Sequence, residues 1–159
     1  MRTVIGMVCV PLITVACGRS TSMNQAQLND FGTRYAAAWS SKSPDQLASF
    51  YSENGSLRVN QAAPAAGRPA VRATAEGFMT AFPDMVVRMD SMVPKGTGAE
   101  FHWTWTGTNT GAGGTGKTVH MVGYEELTFG ADGLIAQSLG HYDEAEYQRQ
   151  LKEGAGPKP

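Results

Sequence analysis

Glu125 is the residue with the clearest chemical potential. Val119, Met121, Gly123, Glu125, Leu127 and Phe129 fall on one side of an alternating run, and Thr118, His120, Val122, Tyr124, Glu126 and Thr128 fall on the other. Period two, rich in β-branched and aromatic residues, predicts a strand. A carboxylate on the apolar side of that strand is costly unless it is paired or used. Burial disfavours its charged form, so it keeps its proton to higher pH and can exchange one near neutrality. The alternative is a Glu at a sheet edge or in a salt bridge. Glu126 has the opposite parity and is predicted to be solvated. His141 is the second candidate base, since an imidazole titrates near neutral pH, although a lone strand His also serves structurally. Asp143 is predicted to cap the helix that begins at Glu144. His102 and His120 stand opposite the apolar residues of their strands and are predicted to face solvent.

Proton transfer next to a carbonyl needs a base, a donor for the developing oxyanion, and an apolar pocket. Tyr35 and Trp39, one helical turn apart, can roof such a pocket or pack in the core. Phe101, Trp103 and Trp105 form one stripe, which is either core or pocket wall. Tyr35, Trp39, Trp103 and Tyr142 are the candidate ligand contacts, with Glu125 and His141 the candidate catalytic pair and no metal ligands.

A different chemistry is suggested by GAGGTGKT, residues 111–118, which fits the phosphate-loop pattern G-x-x-x-x-G-K-[ST]. That pattern binds phosphates only where a strand precedes it and a helix follows, because the helix N-terminus completes the anion site. The residues after it alternate as a strand. The stretch is therefore predicted to be a hairpin tip, and no nucleotide partner is expected.

These residues must be positioned by a small set of elements. Leu28, Phe31, Tyr35, Ala38 and Trp39 recur at helical spacing, which predicts an amphipathic helix over 28–40. Pro44 opens a second helix over 45–51, which Glu53-Asn54-Gly55 stops. A short strand follows over 56–60, then a loop over 61–69. A third helix spans 70–82, and Pro83-Asp84 ends it. Four strands are expected at 85–93, 99–107, 117–129 and 134–142, and a last short helix at 144–151. Helices first and an antiparallel sheet after predict an α+β domain over 28–152.

The flanks are different. Residues 1–17 read as a secretion signal: Arg2 carries charge, and Val4 to Ala16 is apolar but too short to span a bilayer. Residues 18–27 are small and polar, suiting a tether, and 153–159 form a polar tail. Cys9 and Cys17 are the two cysteines. Cleavage before Cys17 leaves a single thiol, which cannot close a disulfide within the chain or build a Cys-based metal site. The chain carries 13 basic and 14 acidic residues, with no basic cluster, so nucleic acid is not an expected partner.

Several patterns, in order, resemble the SnoaL-like polyketide cyclase family within the NTF2-like superfamily. They are Phe31 through Trp39 with Ser43-Pro44-Asp45-Gln46-Leu47, then Gly67-Arg68-Pro69-Ala70-Val71-Arg72, then Phe82-Pro83-Asp84. Trp103 through Gly111, Thr115-Gly116-Lys117-Thr118-Val119 and Tyr142-Asp143 complete the set. The resemblance implies an NTF2-like cone, with N-terminal helices packed on a curved antiparallel sheet that encloses a pocket for a small hydrophobic molecule. It implies a cyclase or isomerase that needs no cofactor, and by analogy a homodimer. The family's catalytic Asp aligns with Gly140 here, so that carboxylate is replaced, and His141 and Asp143 are the nearest ionisable residues. A non-catalytic binding protein is the alternative. Thr14-Val15-Ala16-Cys17 resembles a bacterial lipoprotein signal, which implies lipid on Cys17 and an exported protein held to the cell envelope. An ordinary signal peptide and a secreted or periplasmic protein form the alternative.

Overall fold

The fold is seen in a computed structural model, which describes residues 23–156. The signal-type segment, Cys17 and residues 157–159 lie outside the described residues. Helix α1 (Gln25–Trp39) starts ahead of the predicted Leu28 because Asn24 caps it: the Asn24 side chain accepts the Gln27 N–H, and the Gln27 side chain accepts the Asn24 N–H. Such a reciprocal cap is worth about 1 kcal/mol. The predicted stripe of Leu28, Phe31, Tyr35, Ala38 and Trp39 is buried. Ser43 caps α2 (Pro44–Ala48), with Pro44 in its first turn.

Strand β1 (Tyr51–Val59) begins earlier than expected. Glu53-Asn54-Gly55 is an irregularity inside the strand, where its register shifts between Tyr51 and Ser56, and does not separate helix from strand. Within the predicted loop, β2 (Ala65–Ala66) folds back on β1. Helix α3 (Arg68–Ala81), with Pro69 in its first turn, precedes β3 (Val86–Lys95), β4 (Gly98–Thr108), β5 (Thr118–Phe129), β6 (Ile135–Tyr142) and α4 (Glu144–Glu153). The GAGGTGKT stretch joins β4 to β5, with Thr108 paired to Thr118, so a strand and not a helix follows it.

The six strands lie in the order β2-β1-β6-β5-β4-β3. Sequential neighbours pair antiparallel, but β1 pairs with β6 in parallel. The sheet is therefore mixed, which corrects the expected antiparallel one. A parallel pair requires a long crossover, and here β2, α3, β3, β4 and β5 all separate the two strands in the chain. The sheet is curved and does not close, and helices cover one face. The side chains turned toward the helices include Phe101, Trp103 and Trp105 from β4, Val119, Met121, Glu125 and Leu127 from β5, and Ser138 from β6.

Strand β5 runs past the end of β6, whose last pair is Tyr142 with Gly123. Helix α4, capped by Asp143 as predicted, covers that overhang. The buried side-chain amide of Gln150 accepts the His120 N–H at 2.6 Å and donates to the His120 carbonyl at 3.0 Å. It does for one residue what a neighbouring strand would do.

Candidate functional site

Strand register puts Glu125 opposite Gly140. Alternation then turns Ser138, Gly140 and Tyr142 to the same face as Glu125, and His141 to the other. Glu125 is only 5% exposed. Its Oε2 accepts from the Ser138 hydroxyl at 2.5 Å and from the Tyr35 hydroxyl at 3.0 Å. Tyr35 and Tyr51 are fully buried, with their oxygens 2.7 Å apart. A phenol has one proton to donate. Because Tyr35 gives its proton to Glu125, Tyr51 donates to Tyr35, and the three form a directed relay.

Burial pushes the Glu125 carboxyl up to about 6, against the downward pull of the Ser138 and Tyr35 hydrogen bonds. Burial, reinforced by the Glu125 charge, holds both the Tyr35 and the Tyr51 phenols above their ordinary range. All donors on Oε2 are thus neutral and stay protonated. Both of these hydrogen bonds land on one oxygen, Oε2, of a carboxyl that also lines a cavity.

That cavity has a volume of about 60 Å³. Trp39, Trp103, Trp105 and Phe78 form much of its apolar wall, and Glu125, Gly140 and Tyr142 lie along it. An outer hollow of about 480 Å³ shares Leu57, Val59, Phe78 and Tyr142 with it, and continues to Asn60, Gln61 and Glu144. The two spaces share these four side chains as a common wall. Gly123 makes room for one wall: a Cβ there would come within 2.5 Å of the Trp103 ring. Burial, then the Glu144 charge, raises the Tyr142 phenol above its ordinary range, so it too stays a donor.

Four of the six candidate residues, Glu125, Trp39, Trp103 and Tyr142, line this space. Tyr35 does not roof it; it stands behind Glu125 and holds the carboxylate. His141 does not share the cavity. It stacks on Tyr124, with centroids 4.7 Å apart, and its Nε2 lies 3.2 Å from Glu126 Oε1 on the outer face. The expected pairing of Glu125 with His141 is corrected for a simple reason: residues 140 and 141 point to opposite faces. His102 stacks on Tyr124 from the other side, and His120 is exposed. Ser138 and Tyr51 escaped the sequence reading. The signal for Ser138 was its shared parity with Gly140 and Tyr142; Tyr51 was hidden by assigning it to a helix.

No curated protein gives a significant match to this chain. Solved structures do. A protein of ketosteroid isomerase-like fold from Catenulispora acidiphila DSM 44928, in complex with trimethylamine, matches with a TM-score of 0.68 at 18% identity, covering 82% of this chain and 98% of that one. TsrD from Streptomyces laurentii matches with a TM-score of 0.69 at 20% identity, over 81% and 97% of the two chains. A candidate SnoaL-like polyketide cyclase from Jannaschia sp. CCS1 matches with a TM-score of 0.66 at 12% identity, over 85% and 99%. At these identities the likeness establishes the fold. The profile of the SnoaL-like domain matches residues 33–138, a span that holds Tyr35 and Trp39 of α1, the β4 aromatic stripe, Glu125 and Ser138. The chain belongs to the SnoaL-like domain family.

Proposed function

We propose that this protein is a cofactor-free acid/base catalyst acting on a hydrophobic carbonyl compound, of cyclase or isomerase type. The observation that carries this is the Glu125 carboxyl, raised to about 6 on the wall of an apolar cavity and held through one oxygen by neutral donors. A base with a pKa near the working pH is both available and strong enough to be useful. Glu125 takes the proton from the carbon beside a carbonyl. The C–H electron pair forms a carbon–carbon π bond, and the carbonyl π pair moves to oxygen, where the Tyr142 hydroxyl, turning from Glu144, donates to it. The enolate then attacks a second carbonyl of the same molecule, or is reprotonated at another carbon by the Glu125 acid.

Wash-in of deuterium from D₂O beside the carbonyl of 2-tetralone tests this. The wild type is expected to accelerate exchange, and Glu125→Gln to reduce the acceleration by about 100-fold or more, with affinity retained. No acceleration by the wild type would sink the catalytic reading.

The second reading is a non-catalytic binder, anchored to the cell envelope through lipid on Cys17. Gly140 favours it, because this position supplies no side chain where the family's catalytic carboxylate aligns.

A further inference from the structure

We propose that the cavity beside Glu125 binds a small alkylated ammonium ion, boxed by aromatic rings and balanced by the ionised Glu125 carboxylate. The inference rests on this cavity being the ligand site, as the proposed function does, but not on catalysis. It adds a second ligand class to the carbonyl compounds.

Aromatic rings from four elements meet at the cavity: Trp39 of α1, Phe78 of α3, Trp103 and Trp105 of β4, and Tyr142 of β6. They are steeply inclined to one another. Phe78 stands at 86° to Trp39 and at 89° to Trp105, with centroids 6.0 and 5.9 Å apart, and Tyr142 stands at 63° to Trp103. The rings therefore form a box and not a stack. All three indole Nε1 atoms are buried within the protein, so the tryptophans offer the cavity ring carbon. A cation within about 6 Å of such rings is attracted by their quadrupoles.

Glu125 supplies the opposite charge. No Lys, Arg or His lines the cavity. The titratable groups around Glu125 are the Tyr35, Tyr51 and Tyr142 phenols, all held neutral, and Glu144 beside Tyr142 is itself acidic. Once ionised, Glu125 is thus a buried charge with neutral donors but no counterion, which is costly until a cation enters.

The wall narrows the ligand further. An anion is repelled by Glu125. A hydrocarbon suits the rings but leaves the carboxylate without a counterion. A primary ammonium brings three N–H donors, and a wall that is almost wholly carbon cannot pair them. A quaternary ammonium presents only methyl groups and needs no acceptor. Its charge still feels the carboxylate across a low-dielectric interior. A buried water takes about 10–15 Å³ of such space, so a cavity of about 60 Å³ holds about four to six non-hydrogen atoms, the size of a tetramethylammonium ion.

Tetramethylammonium, tert-butylammonium and tert-butanol have the same number of non-hydrogen atoms and separate these demands. All three tryptophans of the chain line the cavity, so their fluorescence reports its occupancy, and calorimetry at fixed ionic strength gives the affinities. At pH 8 the full chain is expected to bind tetramethylammonium about tenfold or more tighter than tert-butanol, and tighter than tert-butylammonium. Glu125 takes up its proton through about 6, so between pH 8 and pH 5 the tetramethylammonium affinity should fall about tenfold while that of tert-butanol holds. Glu125→Gln should bind tetramethylammonium weakly at both values; the wild-type comparison stands alone if the variant does not fold. Tetramethylammonium binding no tighter than tert-butanol, or equally tight at pH 5 and pH 8, would overturn the proposal and leave the catalytic reading to its exchange assay. Tighter binding of tert-butylammonium would also overturn it, because the site would then be supplying acceptors. The expected binding by a protein that accelerates no exchange would support the cation site and sink catalysis. Binding of none of the three would overturn both the proposal and the cavity reading.

Discussion

Glu125 makes the protein's stability depend on pH in an unusual sense. Most carboxyls in a fold are held below their unfolded value and stabilise it as pH rises. Glu125 is held above, at about 6 against 4.5, so between those values the folded state binds more proton than the unfolded chain. Stability should therefore fall as pH rises from about 4.5 through about 6 and stay lower beyond, by about 2 kcal/mol in all. Glu125→Gln preserves shape and acceptor but has no charge to bury. Denaturant unfolding should show the variant gaining up to about 2 kcal/mol on the wild type between pH 4 and pH 8; a constant difference across that range would show that the carboxyl titrates normally. Glu125 was legible from alternation alone, because a charged residue on an apolar strand face breaks the pattern visibly. Its support was not. Ser138 and Tyr51 are ordinary residues until the register of distant strands brings them to one oxygen, and His141 looked suitable by type while its parity placed it outside.

Most elements were legible because each obeys one period and ends on recognisable chemistry, as Pro44 in the first turn of α2 and Asp143 capping α4 show; the Asn24 cap of α1 and Pro69 in the first turn of α3 were passed over, so both helices begin earlier than expected. The start of β1 was not, since Glu53-Asn54-Gly55 has turn composition yet sits inside a strand. Its parallel pairing with β6 was not either, because nothing local encodes which strand a distant one will meet. Helix α4 carries a testable element. Gln150 supplies both hydrogen bonds of the His120 peptide, so Gln150→Leu would leave an N–H and a carbonyl at the β5 overhang without their partner. The expected cost is about 1–3 kcal/mol, read as a lower midpoint in urea with the slope unchanged, and accompanied by faster amide exchange at His120. Normal exchange at His120 in the variant would mean that the clamp is decorative.

The chain as a whole combines a domain over most of its length with an N-terminal segment of different character. If Thr14-Val15-Ala16-Cys17 is a lipoprotein signal, the wild type should partition with membranes carrying a diacylglyceryl-modified Cys17, and Cys17→Ala should release or mislocalise it. Soluble wild type with an unmodified N-terminus would sink the anchor. The parallel pair of β1 and β6 has a consequence for how the molecule comes into being. Tyr51 and Glu125 belong to one relay, but β1 can join the sheet only beside β6, the last strand made. A chain emerging from the N-terminus therefore holds α1, β1 and most of the aromatic wall without the strand that brings Ser138 and completes the acid's surroundings. Loop closure across so much intervening chain is entropically slow, so the binding chamber should be the last part to acquire protection as the protein folds. Any small molecule that occupies it would then act on assembly as well as on the finished protein, speeding nothing early but holding the final docking of β6 in place and lowering the rate at which the sheet reopens.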